Sequence, residues 1–147
     1  MKKEIILMSI KPIFAKEIYE GIKKYELRRK IFGIEPFSLV ILYESSPKKA
    51  ITGKFIAGKV VEMNSEVVIR LINEGKIEGC TELDIPYVTG KRKILVIEVL
   101  NPKKYKRELT LSIIRSHIPK FKPPLSYMRL KNKSLLSLIK KWEKRYG

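Results

Sequence analysis

The sequence predicts an α+β domain, a small and mostly antiparallel β-barrel with flanking helices. Three observations carry this. Short apolar, β-branched runs of strand length alternate with segments of helical periodicity. The longest strand candidate, Ala50–Met63, holds Gly53 and Gly58 where a strand would bend or bulge, as strands do when a small barrel curls on itself. The 147 residues, 44% of them hydrophobic, match one domain with one core.

Each element has its own reason. Glu4–Ile10 is apolar and reads as a first strand; it is too short for a signal-peptide core, and no small-residue cleavage site follows it. Pro12 suits the first turn of a helix, along which Phe14, Ala15, Ile18, Tyr19 and Ile22 recur at helical spacing until Gly21 stops it. Lys23–Arg29 reads as extended. Ser38–Tyr43 is a continuous apolar run bounded by Pro36 and Pro47, hence a strand. Asn64 or Ser65 caps a helix carrying Val67, Val68, Leu71 and Ile72, which stops at Gly75. Residues 76–92 read as loop with one turn of helix. Lys93–Leu100 is a strand that Asn101-Pro102 breaks, and Tyr105–Leu111 reads as another. A last helix, Ser134–Tyr146, follows Pro119, Pro123 and Pro124; its apolar stripe runs through Leu135, Leu138, Ile139 and Trp142, and lysines cover the rest.

Charge is the strongest compositional signal. Lys and Arg number 32 against 15 Asp and Glu, a net +17. Residues 1–100 carry 18 basic and 13 acidic side chains, and residues 101–147 carry 14 and 2. Such asymmetry points to a polyanion partner. A lysine-rich, heat-adapted composition would raise Glu alongside Lys, and here it does not. No apolar run reaches the ~18–20 residues of a membrane span, so the expected location is the cytoplasm, with no membrane partner. Cys80 and His117, each the single residue of its type, read as structural, and no metal or other cofactor is expected.

The densest polar segment is Gly21-Ile22-Lys23-Lys24-Tyr25-Glu26-Leu27-Arg28-Arg29. On a strand, Glu26 and Arg28 share one face, and Tyr25 and Leu27 the other. A carboxylate beside a guanidinium is either a plain salt bridge or a recognition pair, the acid accepting from a base's amino edge and the Arg fork gripping phosphate or carbonyl oxygen.

The spacing of Gly21, Lys23, Glu26 and Arg28 resembles the G-x-K-x-x-E-x-R motif of ASCH domains, relatives of the PUA RNA-binding fold. Ser9-Ile10-Lys11-Pro12, Tyr43-Glu44-Ser45-Ser46-Pro47 and Pro123-Pro124-Leu125-Ser126-Tyr127 resemble further segments of that family, in the same order. The resemblance implies a PUA-like barrel over residues 1–130; residues 131–147 lie outside it and read as a basic C-terminal helix packed on the same domain. It also implies a cleft lined by Lys11, Lys23, Glu26, Arg28, Ser45 and Ser126. Tyr43 and Tyr127 either offer a stacking face for a base or belong to the core. The function expected is binding of RNA, or alternatively single-stranded DNA, in a basic cleft.

Two alternatives stand beside it. One is a metal-independent enzyme, a ribonuclease or nucleoside amidohydrolase, with Lys23 and Glu26 as catalytic residues; the relatives' amidase pattern has threonine where this chain has Glu26. The other is a regulator of transcription or translation, for which no helix-turn-helix is legible. If the last helix only adds affinity, truncation after Leu130 leaves a folded, weaker binder.

Overall fold

A computed structural model describes residues 3–90 and 92–147; of the segments read above, Met1, Lys2 and Lys91 lie outside it. The elements run β1 (Ile5–Ile10), α1 (Pro12–Tyr19), β2 (Tyr25–Arg29), β3 (Leu39–Glu44), β4 (Ala50–Met63), α2 (Ser65–Asn73), α3 (Ile85–Val88), β5 (Ile94–Thr110), α4 (Leu111–His117), β6 (Tyr127–Arg129) and α5 (Lys133–Tyr146).

The strands form one curled sheet in the order β2-β5-β4-β3-β1-β6. Four of its pairings are antiparallel, and β1 pairs with β3 in parallel, so the sheet is mixed. It is a half-barrel rather than the closed barrel expected. The edge strands β2 and β6 span five and three residues and share no ladder. Side chains bridge the opening instead. Arg28 Nη1 donates to the Ser126 carbonyl at 3.4 Å. Tyr127 Oη accepts from Ile31 N at 2.8 Å and donates to Phe32 O at 2.7 Å.

Both faces of the central strands are covered, which explains their unbroken apolar runs. Ile6, Met8 and Ile10 of β1 join Val40 and Leu42 of β3 inside the curl, with Phe14 and Ile18 of α1. The alternate residues Leu7, Ile41 and Tyr43 face outward, onto a second cluster that includes Ile114 of α4 and Leu135 and Ile139 of α5. A third cluster seats α2 on Leu27, Ile94 and Val96. With Leu135 fully buried and Ile139 2% exposed, α5 is part of the core. Truncation after Leu130, expected to leave a folded and weaker binder, would take Leu135 and Ile139 out of that second cluster.

Asn101-Pro102 does not break β5. Asn101 takes a left-handed φ of 48°, which Asn tolerates. The register with β4 passes from Ile56↔Leu100 to Lys54↔Lys103, so two residues oppose Phe55. This is a bulge, where a proline's missing N–H costs no ladder bond. β5 then runs on to Thr110, whose side chain caps α4 by accepting from Ile113 N at 3.2 Å. The single turn of helix expected within residues 76–92 is α3. The sequence reading missed α4 and β6, both short, and seven or three residues leave little periodicity to detect.

Candidate functional site

A cavity of about 330 Å³ opens beside the gap between β2 and the segment before β6. Glu26 and Arg28 of β2 form one wall, Lys11 and Ser45 follow β1 and β3, Phe14 comes from α1, Asp84 and Tyr87 from the α3 region, and Leu125 and Ser126 precede β6. Backbone and side-chain bonds hold the mouth. Ser9 N donates to Ser126 O at 2.8 Å, Ser9 Oγ to Pro124 O at 2.6 Å, and Ser45 N to Ile10 O at 2.9 Å.

The centre is a chain of four charges. Arg28 makes a two-pronged contact with Glu26, Nη2 and Nε donating to Oε2 at 2.9 and 3.1 Å. Glu26 Oε1 accepts from Leu27 N at 3.2 Å and lies 3.9 Å from Lys23 Nζ. Lys23 in turn donates to Asp84 Oδ1, whose other oxygen accepts from Thr81 N at 2.8 Å. Two cations and two anions balance within this group. The planar guanidinium is thus locked by the carboxylate at the cavity wall, and its Nη1 edge faces Ser126.

Lys23 is only 1% exposed and does not line the cavity; it sits beneath, its Nζ 5.0 Å from the Phe14 ring centroid. Burial pulls its pKa down, but Glu26 and Asp84 outweigh that and raise it above the ordinary 10.5. Lys23 therefore stays an ammonium at neutral pH. Burial pushes the neighbouring Cys80 thiol up to about 12, and its Sγ lies 3.7 Å from Lys23 Nζ.

Of the residues singled out in the sequence, Lys11, Glu26, Arg28, Ser45 and Ser126 meet at the cavity. Tyr43 is buried in the outward cluster, on the other face of β3, because its register position alternates with Leu42. Tyr127 is buried inside the curl against Phe32, ring centroids 4.8 Å apart, with its hydroxyl bound to the Phe32 backbone. Both tyrosines are core, and neither lines the cavity. The aromatic residues that do are Phe14 and Tyr87, the latter 49% exposed, with Lys11 Nζ 5.7 Å from its ring centroid.

Asp84 and Tyr87 were missed because they lie in the 76–92 stretch, 61 positions beyond Lys23 in the case of Asp84. Gly79 brings that stretch in. At a φ of +84° it packs so closely that a Cβ would stand 2.1 Å from the Ile22 carbonyl oxygen, leaving room only for glycine. The glycine was the one local signal. Among the described residues, no group of three or more His, Cys, Asp or Glu side chains is arranged to hold a metal ion, and no helix is long and apolar enough to cross a membrane.

No family model and no curated protein matches the sequence. Solved structures do match its shape. A crystal structure of ASCH from Zymomonas mobilis superposes with a TM-score of 0.80 at 20% identity, covering 99% of this chain and 98% of that one. Human THYN1, in complex with DNA containing 5-methylcytosine, gives a TM-score of 0.62 at 12% identity over 97% and 99% of the two chains. A hypothetical protein from Leishmania major gives 0.61 at 12% over 98% and 97%. The fold of this chain is the ASCH fold.

Proposed function

We propose that this protein binds nucleic acid, RNA foremost and single-stranded DNA as the alternative, and admits one base to the cavity. The observation that carries this is the locked Glu26–Arg28 pair on a cavity wall that also holds Tyr87 and Phe14. A polar planar ligand needs a few fixed donors and acceptors beside apolar surface, and a base has that character. About 330 Å³ lies at the small end of the roughly 300–1,000 Å³ typical of ligand sites, which suits a base or nucleoside. The four central charges cancel, which suits that wall to reading a ring edge, while Lys11 and Arg29 leave the cavity lining net positive. The likeness in fold to a DNA-bound human protein supports the same class of partner.

The enzymatic alternative has less support. A lysine acting as base near neutral pH needs a lowered pKa, and here Lys23 is raised, buried and set back from the cavity. We assign it to positioning Glu26.

The test is Glu26→Gln against a panel of homopolymeric RNAs and DNAs. One well-made two-point contact discriminates by about 1–3 kcal/mol, so preference among bases should change by about tenfold. Total affinity for the unpreferred polymers should hardly move, and a thermal melt checks the fold. An unchanged preference in a folded variant would retire the base-reading cavity.

A further inference from the structure

The lysines of the C-terminal third do not line the cavity, and their placement poses a separate question. Lys103 of β5 shares a groove with Lys140, Lys141 and Lys144 of α5. All four are exposed, and none is in an ion pair among those of the described residues. The one acidic side chain lining that groove, Glu143, is already engaged, paired with Lys54 and accepting from Tyr105 Oη at 3.1 Å. What remains facing solvent is strongly positive.

Between this groove and the cavity lies another. Lys104, next to Lys103, faces a second groove with Lys16 and Lys48, bounded by Pro12 and Pro47. Those prolines lie one and two positions beyond Lys11 and Ser45 at the cavity mouth. Lys16 lies 4.0 Å from Glu20, Lys48 is paired with Glu108 and Glu44 is buried, so Lys104 is the cation of this groove outside the ion pairs of the described residues. Lys103 and Lys104 point to opposite faces of β5. A nucleic-acid strand joining the two grooves must cross β5 beyond Ile94–Glu98, the part that β2 pairs. A flexible chain can pass around it.

Lysines on an open strand edge also deter edge-to-edge pairing, and that alone would account for those of β5. It does not account for three more on α5, whose side chains share a groove with Lys103.

We infer that this basic band, from the cavity mouth around the open edge of β5 to α5, holds the phosphate backbone of the strand whose base enters the cavity. The inference rests on the proposed function for its ligand, and adds a binding surface and a minimum ligand length. Long polyanions should gain from it and short ones should not. Single-stranded sites on small barrels span roughly 4–16 nucleotides, a range that separates the two cases.

The experiment compares wild type with the Lys103→Gln, Lys140→Gln, Lys141→Gln, Lys144→Gln variant. The probes are RNAs of one base, about 4 and about 16 nucleotides long, titrated by fluorescence anisotropy. Each phosphate contact on a single strand contributes about 0.7 to the salt slope, so four contacts contribute about 3. Raising salt from about 50 to about 200 mM should therefore weaken the long RNA about 50-fold less in the variant than in wild type. Binding of the short RNA should be unchanged, as should the melting temperature. An unchanged salt slope and unchanged affinity for the long RNA would overturn the band. So would equal binding of wild type to anionic phospholipid vesicles, which would assign the lysines to a membrane surface. Loss of slope in the variant, with no base preference in wild type, would sustain the band and remove the cavity reading instead.

Discussion

Replacing Asp84 with alanine tests the buried charge network most directly. Asp84 is 5% exposed and Lys23 1%, and Asp84 is the carboxylate that accepts Lys23's hydrogen bond. Without it, the ammonium keeps Glu26 at 3.9 Å, beyond hydrogen-bonding reach, and the weakly accepting Cys80 sulfur at 3.7 Å. Thr81 N also loses its acceptor. Removing one partner of a buried pair typically costs about 3–5 kcal/mol. For a chain of this length each kcal/mol lowers the melting temperature by about 3 °C, so Asp84→Ala should melt about 10–15 °C lower. The double variant Lys23→Met, Asp84→Asn removes both charges and keeps an acceptor for Thr81, so it should melt above Asp84→Ala. The pH dependence follows from the raised pKa of Lys23. Its stabilisation is fully present below the ordinary lysine value of 10.5 and is lost only as pH rises through the folded value. The difference between wild type and Asp84→Ala should then be flat from about pH 6 to about pH 9 as far as Lys23 is concerned. Calorimetry or circular dichroism supplies the measurement. A shift under about 3 °C, or a double variant that melts no higher than Asp84→Ala, would refute a mutually dependent buried pair.

Two further outcomes follow from the same packing. Tyr127→Phe keeps the ring against Phe32 but strands the Ile31 N–H and the Phe32 carbonyl, so it should cost about 1–3 kcal/mol in a denaturant titration. Cys80, with its pKa pushed up to about 12 chiefly by burial, should resist alkylation at pH 8 in native protein and react promptly once denaturant is added.

Much of the site was legible before folding because it lies on one short strand. Alternation alone puts Glu26 and Arg28 on a common face, and the structure has them joined side by side. The helical stripes of α1, α2 and α5 were readable for a similar reason, since periodicity is a local property. Tyr43 and Tyr127 were not decidable. Their residue type suits both a stacking platform and a core, and only the pairing of their strands determines which face they occupy.

Sequence by itself determined the types of the longer elements, the common face of Glu26 and Arg28 on β2, and the basic excess of the last third. Each of these depends on neighbours within a few positions or on a count. Tertiary structure alone decided that the sheet stays open between β2 and β6, that α5 completes the core, and that Asp84 and Tyr87 reach the cavity. Those outcomes depend on contacts such as Lys23–Asp84 and Arg28–Ser126, 61 and 98 positions apart. No spacing rule relates residues so distant. Their meeting follows from the curl of the whole sheet and from the fit of Gly79 against Ile22.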